Sequence, residues 1–428
     1  MVNIRIIQRA LRVTLIAAFA VVSACGTNSA GASDGTADGG APTSVVTQTP
    51  SSTTTSPPST TTVEVSPNGV AGENNIADNF NASALLTPTV EAVPQMGDPV
   101  GAFRFTCLAG QLSRDDPIVY PGQPGRSHLH QFFGNMLTNS SSNYQSLRTG
   151  GGSTCTRNAN STDPTPQRSA YWMPAMLDGV GNAVKPDYMQ TYYKQLPNGN
   201  PECQGAPDAT HIGYCIPMPN GLRFIQGYNM DTGRGGPTDA NSGDYWAMGF
   251  DCVTTDGEGT SYTGFKRSMA EIVATGRCPV GAWLRVAVSF PDCWDGRNLD
   301  SADHRSHMAY ASGALIDNFK RACPATHPYN IPEIALSAFF RVDANFIDGK
   351  WSLASDAMAP AGAPAGSTLH ADYWEAWSPT VKNMWQTGCI NGHLSCNVGE
   401  LGNGQTLPGM SQVGPYPNHV LVPLSSIQ

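Results

Sequence analysis

The clearest alternation of apolar and polar positions is WLRVAVSF, Trp283–Phe290. Leu284, Val286, Val288 and Phe290 share one face, and Trp283, Arg285, Ala287 and Ser289 share the other. A period of two predicts a strand with one side on a core. Glu333–Asp343 repeats the pattern with Ile334, Leu336, Ala338, Phe340 and Val342 in line. Ala102–Leu108, Leu222–Gly227, Ala247–Cys252 and His419–Leu424 are shorter strand candidates. Helical periodicity is confined to Phe265–Thr275, stopped by Gly276, and to a segment from Ser378-Pro379 to Gln386, with Gly388 beyond it. The pattern predicts a mainly β fold: a single large disulfide-bonded domain, sandwich or jelly-roll-like, with long loops and a few short helices.

The ends change the picture. Arg5, Arg9 and Arg12 precede an apolar run from Val13 to Val22, too short to span a bilayer. This predicts a secretory signal over residues 1–24. Val22-Ser23-Ala24-Cys25-Gly26 resembles a bacterial lipobox, so Cys25 is the expected lipidation site and the lipid the only expected membrane contact. Residues 25–98 are dominated by Ser, Thr, Gly, Ala and Pro, as in SSTTTSPPSTTT. Such a stretch predicts a disordered tether, leaving residues 99–428 as the folded domain. The expected location is the outer face of the cell membrane or the cell envelope.

Cysteine usage fits export. Without Cys25 there remain Cys107, Cys155, Cys203, Cys215, Cys252, Cys278, Cys293, Cys323, Cys389 and Cys396, an even set that predicts up to five disulfides. Cys203 with Cys215 and Cys389 with Cys396 are plausible local loops. No CxxC pair suggests a zinc finger. The formal net charge of −9 has no basic run to offset it, which excludes nucleic acid as an expected partner.

Chemistry concentrates in three stretches. SHLHQFFGN carries His128 and His130. PDCWDGRNLDSADHRSHMAY carries Asp292, Asp295, Asp300, Asp303, His304 and His307. LHADYWEAW carries His370, Asp372 and Glu375. If extended, His128 and His130 share a face, as do His370 and Asp372. If His304 and His307 lie on a helical turn, they are one turn apart. Imidazoles with a carboxylate suit one divalent metal such as zinc, with His128, His130 and His370 as candidate ligands. The same groups suit acid–base chemistry, with His307, Asp295, His370 and Asp372 as candidates. The bland readings are hydrogen-bonded loop histidines and turn-capping aspartates. Trp172, Trp246, Trp294, Trp374 and Trp377 could stack on sugar rings or fill a core. No nucleophile elbow, phosphate loop, HExxH or dinucleotide fingerprint is present.

DPIVYPGQPGRSHLHQFFGN, DCWDGRNLDSADHRSHMAY, CPATHPYNIPEI and HADYWEAW occur in that order. Together they resemble the DUF1996 family, a secreted domain of unknown function common in fungi and actinobacteria. The resemblance runs from about Asp98 to Cys396. It picks out Asp116, His128, His130, Cys293, Trp294, Asp295, His304, His307, Cys323, Pro324, His370, Asp372 and Trp377. The chain departs from the family pattern at Phe132–Asn135 and at Gly366–Leu369, where many relatives are glycine-rich. Fungal relatives are often joined to WSC modules, which are thought to bind carbohydrate. The resemblance therefore implies a role on wall or extracellular polysaccharide, with Asp116, Trp294 and Trp377 as candidate substrate contacts. Two expectations follow: a glycan-active hydrolase or lyase built on a His/Asp site, or a non-catalytic glycan-binding or wall-organising lipoprotein. A metal-scavenging lipoprotein would carry a denser run of ligands.

Overall fold

Two antiparallel sheets face each other. Their strands, in chain order, are β1 (Gly101–Cys107), β2 (Leu112–Ser113), β3 (His130–Gly134), β4 (Ala170–Pro174), β5 (Tyr188–Gln195), β6 (Arg223–Gly227), β7 (Met248–Val253), β8 (Trp283–Ser289), β9 (Glu333–Arg341), β10 (His370–Trp374) and β11 (Ser395–Cys396). The six-stranded sheet runs β7-β8-β9-β5-β1-β11, with only β11 parallel to its neighbour. The five-stranded sheet runs β6-β10-β4-β3-β2 and is antiparallel throughout. This is a computed structural model, and it describes residues 64–65, 71–156, 165–239, 248–255, 259–316, 320–407, 409–410 and 419–427. Residues 1–24, Cys25 and Trp246 lie outside that set, as does most of the expected tether.

Alternation decides what each face meets. Leu284, Val286 and Val288 of β8 and Ile334, Leu336, Ala338 and Phe340 of β9 enter the main core, as their spacing predicts. From the other sheet, Phe133, Tyr171, Met173, Phe224, Ala371 and Tyr373 join the same core. The sheets are also linked by hydroxyls at its centre: Tyr171 and Tyr193 are 2.7 Å apart, and Tyr193 donates to Tyr373. The outer face of the five-stranded sheet is covered too. There Phe132, Trp172, Ile225 and Trp374 pack with Ile118, Tyr144 and Leu147. Strands buried on both sides read as continuous rather than alternating, as HADYW does.

Five disulfides form: Cys107–Cys155, Cys203–Cys215, Cys252–Cys278, Cys293–Cys323 and Cys389–Cys396. Short helices at Met269–Ala274 and Pro379–Trp385 fall inside the two predicted segments. Among the described residues, no helix is long and apolar enough to cross a membrane.

The expected domain boundary at residue 99 is corrected. Residues 71–98 lie on the domain as a strap. Asp78 makes a buried ion pair with Arg148 at 2.8 Å and accepts from Ser378 at 2.6 Å. Ala71 and Ala82 are buried, and Thr87–Pro88 pairs with Gln405–Thr406. One buried ion pair and a few small apolar contacts hold a segment whose composition alone reads as tether.

Candidate metal and acid–base site

The outer face of the five-stranded sheet carries the chemistry. Strand register aligns Phe132 with Trp172, Trp172 with Asp372, and Asp372 with Ile225. His370, two residues before Asp372, therefore stands on the same side of β10. His130 opens β3 and brings His128 with it. The ring centroids of His128 and His130 are 4.2 Å apart, those of His128 and His370 are 5.0 Å apart, and those of His130 and His370 are 5.9 Å apart. One ring nitrogen from each of the three lies within 4.8 Å of the others.

Hydrogen bonding fixes which nitrogens are free. His370 Nδ1 is 2.8 Å from the Thr368 carbonyl, so it must carry the proton, and Nε2 keeps its lone pair. His130 Nδ1 is 3.2 Å from the Asp115 carbonyl and 3.1 Å from Ser127 Oγ, whose own proton goes to the His128 carbonyl. His130 Nε2 is again the bare nitrogen. His128 Nε2 and His130 Nε2 are buried without a hydrogen-bond partner among the described residues. Burial holds the His128 imidazole down to about 2 and that of His130 to about 3, and puts His370 well below the usual histidine range; the neighbouring imidazoles act in the same direction. All three are therefore neutral, which is the form that ligates a metal.

Asp372 is almost fully buried, and neither carboxyl oxygen has a hydrogen-bond partner among the described residues. Burial raises it well above the usual carboxylate range; Asp116 adds to the rise and Arg305 opposes it. Asp116 is raised by burial, against the pull of the Ile118 and Val119 amides that donate to its Oδ1. These side chains border one cavity of about 490 Å³, lined by Asp116, His128, His370, Asp372, His304 and Arg305 among others. Arg305 donates to the carbonyls of Ile225, Gly227 and Tyr228 and so holds the end of β6 against the cavity.

The backbone under His370 is braced from a distance. Asp356 accepts from the Leu353 and Gly366 amides and from the Thr368 hydroxyl, which sets the Thr368 carbonyl that meets His370 Nδ1. Opposite His370 in the sheet sits Gly227, at a φ of 103°. A Cβ there would lie 2.5 Å from the Leu369 oxygen and 2.6 Å from the His370 Cα.

The structure thus brings together His128, His130, His370, Asp372 and Asp116. It corrects other expectations. His307 is buried away from this cavity, with Nδ1 2.8 Å from Ser301 Oγ and Nε2 3.0 Å from the Arg223 carbonyl. Both nitrogens are occupied, which leaves none for acid–base work. Asp295 caps a turn through the Arg297 and Asn298 amides. The Thr368 carbonyl, not Asp372, orients the His370 ring. Trp294 and Trp377 are fully buried and cannot stack on a substrate. Trp294 Nε1 donates to the Asn298 carbonyl, and Trp377 packs edge-on to Phe103 and Phe105. Trp172 and Trp374 are buried as well. Sequence reasoning missed Asp356, since a lone aspartate in a loop carries no pattern, and it missed the anchoring role of Arg305.

A family model described as a domain of unknown function (DUF1996) matches residues 116–377. That span begins at Asp116 and contains every residue of the histidine cluster. No curated protein and no solved structure matches the chain.

Proposed function

The chain belongs to the DUF1996 family, and from that premise and the cavity geometry we propose that it is an exported, lipid-anchored envelope protein that holds one divalent metal and acts on wall or extracellular polysaccharide. The observation that carries the metal is the convergence of three neutral imidazoles, two with Nδ1 tied to a backbone carbonyl. A carbonyl fixing a ring through Nδ1, as for His130 and His370, is how proteins commonly present Nε2 to a metal. Zinc is the first choice, because a set of three histidines is a common ligand set for catalytic zinc. Bound there, the metal would supply Lewis-acid chemistry. His128, His130 and His370 would hold it, and Asp372 and Asp116 would face the substrate beside it.

Support for a glycan comes from the cavity lining and from the ends of the chain. Aspartates, arginines, histidines, Asn229, Tyr120 and Tyr228 border the cavity, a mixture suited to hydroxyl-rich ligands. The signal-like start, the lipobox-like Cys25 and the Ser/Thr-rich tether support an envelope location. The non-catalytic alternative relied on aromatic platforms, and the burial of Trp172, Trp294 and Trp377 weakens it.

The test has two steps. The full chain, exported under oxidising conditions without a His tag, is analysed for bound metals by mass spectrometry. Metal-loaded protein is then incubated with wall polysaccharides, and released products are measured. About one metal per chain, lost in His128→Ala/His130→Ala together with product release, is the expected result. Folded, disulfide-bonded protein that takes up no divalent metal, or that releases no product, would overturn the proposal.

A further inference from the structure

The histidine cluster is not the only imidazole at this cavity: His304 borders it as well. Its Nδ1 is 2.8 Å from Asp300 Oδ1, and Asp300 Oδ2 accepts from Arg223 Nε at 3.1 Å. Arg223 in turn lies over the Trp374 ring, 4.7 Å from its centroid. A carboxylate only accepts, so Nδ1 carries the proton and Nε2 keeps its lone pair. Nε2 has no partner among the described residues, and the side chain is about one-quarter exposed.

The backbone at the same residue is also unusual. His304 has a φ of 57°, in the left-handed region that favours glycine. A histidine there is strained, and it is held in place by two bonds: its amide donates to the Ser301 carbonyl, and its carbonyl accepts from the Ile225 amide of β6. Strain of this kind concentrates at working sites. The two charged neighbours on its own loop are committed elsewhere. Asp303 accepts from the Arg305 and Ser306 amides and from two serine hydroxyls, while the Arg305 guanidinium is spent on the carbonyls of β6 and the loop after it. Asp116, Asp231 and Asp372 face it from other walls of the cavity.

We infer that His304, oriented by Asp300, is the proton-transfer residue of this cavity, acting beside the histidine cluster on a hydroxyl-bearing substrate. The inference rests on the proposed function for its reaction and on the dyad geometry for its residue. In hydrolysis, Nε2 takes a proton from water as the water oxygen bonds to the reacting carbon. The bond from that carbon to the leaving oxygen breaks, and the proton passes from Nε2 to that oxygen. Asp300 balances the transient imidazolium, a role that oriented carboxylates fill in other acid–base pairs.

The experiment reads the tautomer and the chemistry separately. The full chain labelled with ¹⁵N-histidine is examined by long-range proton–nitrogen NMR. His304 is expected with the proton on Nδ1, and Asp300→Ala is expected to shift it toward Nε2. His304→Gln and His304→Asn, the second chosen because asparagine tolerates a left-handed backbone, should keep the wild-type metal content and lose about 10²-fold or more in product release. A proton on Nε2 in wild type, or full turnover in both variants, overturns the inference. If wild type releases no product, the proposed function fails. The dyad is then decided by diethyl pyrocarbonate, which should acylate His304 before any other histidine at the cavity; no such preference overturns it.

Discussion

His128 and His370 stand edge to face, with ring centroids 5.0 Å apart and planes at 84°. One ring nitrogen of each lies within 4.8 Å of the other, so both can address one ion. Metal-stripped protein should therefore gain thermal stability on adding zinc and lose it with a chelator. At a hundredfold excess over the dissociation constant the gain is about 2.7 kcal/mol. His128→Ala/His130→Ala should show no shift in a thermal melt; an unchanged shift would place the ion elsewhere.

Asp356 touches no ligand ring, yet it fixes the carbonyl that orients His370. Asp356→Ala should weaken metal binding by about 10–100-fold, the usual range for partners one step removed from a metal. A competition titration against a chromophoric chelator measures this. Unaltered affinity would mean that the Thr368 carbonyl holds without it.

His307 gives an acid-side stability signature. Burial lowers its pKa from the usual 6.5, with Asp300 opposing. The native state thus binds fewer protons than the unfolded state once pH drops below 6.5. The stability from keeping the ring neutral is present above that pH and is lost as pH falls through 6.5 toward the folded value. The slope reaches about 1.4 kcal/mol per pH unit. His307→Gln should lower stability at pH 7, because its two hydrogen bonds are disturbed, and should flatten the decline between pH 7 and 5. Urea midpoints at the two pH values decide.

The strap depends on Asp78. Removing it leaves the Arg148 guanidinium buried without its carboxylate, a change that costs about 3–5 kcal/mol. Asp78→Ala should show that loss in urea and should open the chain near residue 78 to limited proteolysis. A change within about 1 kcal/mol, the worth of an exposed pair, would mean that the strap is held by its other contacts.

Cys107 ends β1 of the six-stranded sheet, while Cys155 follows Thr154, whose amide and hydroxyl bond the end of β3 at Gly134. The crosslink therefore ties the core sheet to the sheet that carries the site. Cys107→Ser/Cys155→Ser should lose about 4 kcal/mol by loop-closure entropy, seen as a lower melting temperature with metal uptake retained only below the new transition.

The strands with one solvated or loosely covered face, 283–289 and 333–341, were legible because apolar residues recur every second position. Central β5, Tyr188–Gln195, was not. Its inward positions include Thr191 and Gln195, so its pattern reads polar although both are buried. For the site, the HxH and HxD spacings pointed to His128, His130, His370 and Asp372, since residues two apart on extended backbone share a side. His304 and His307 illustrate the limit. They look equivalent in DHRSH, and the difference arises from a left-handed turn and a distant carbonyl at Arg223, neither of which has a local signature.

Gly227 shows how far such control extends. It lies against the backbone of His370 in a gap that no side chain could enter. Even the methyl of Gly227→Ala would drive a wedge between two strands and tilt the third imidazole away from its partners. The cavity therefore has a silent off-position: a residue with no functional group, whose replacement would displace His370 although all three histidines remain in the sequence.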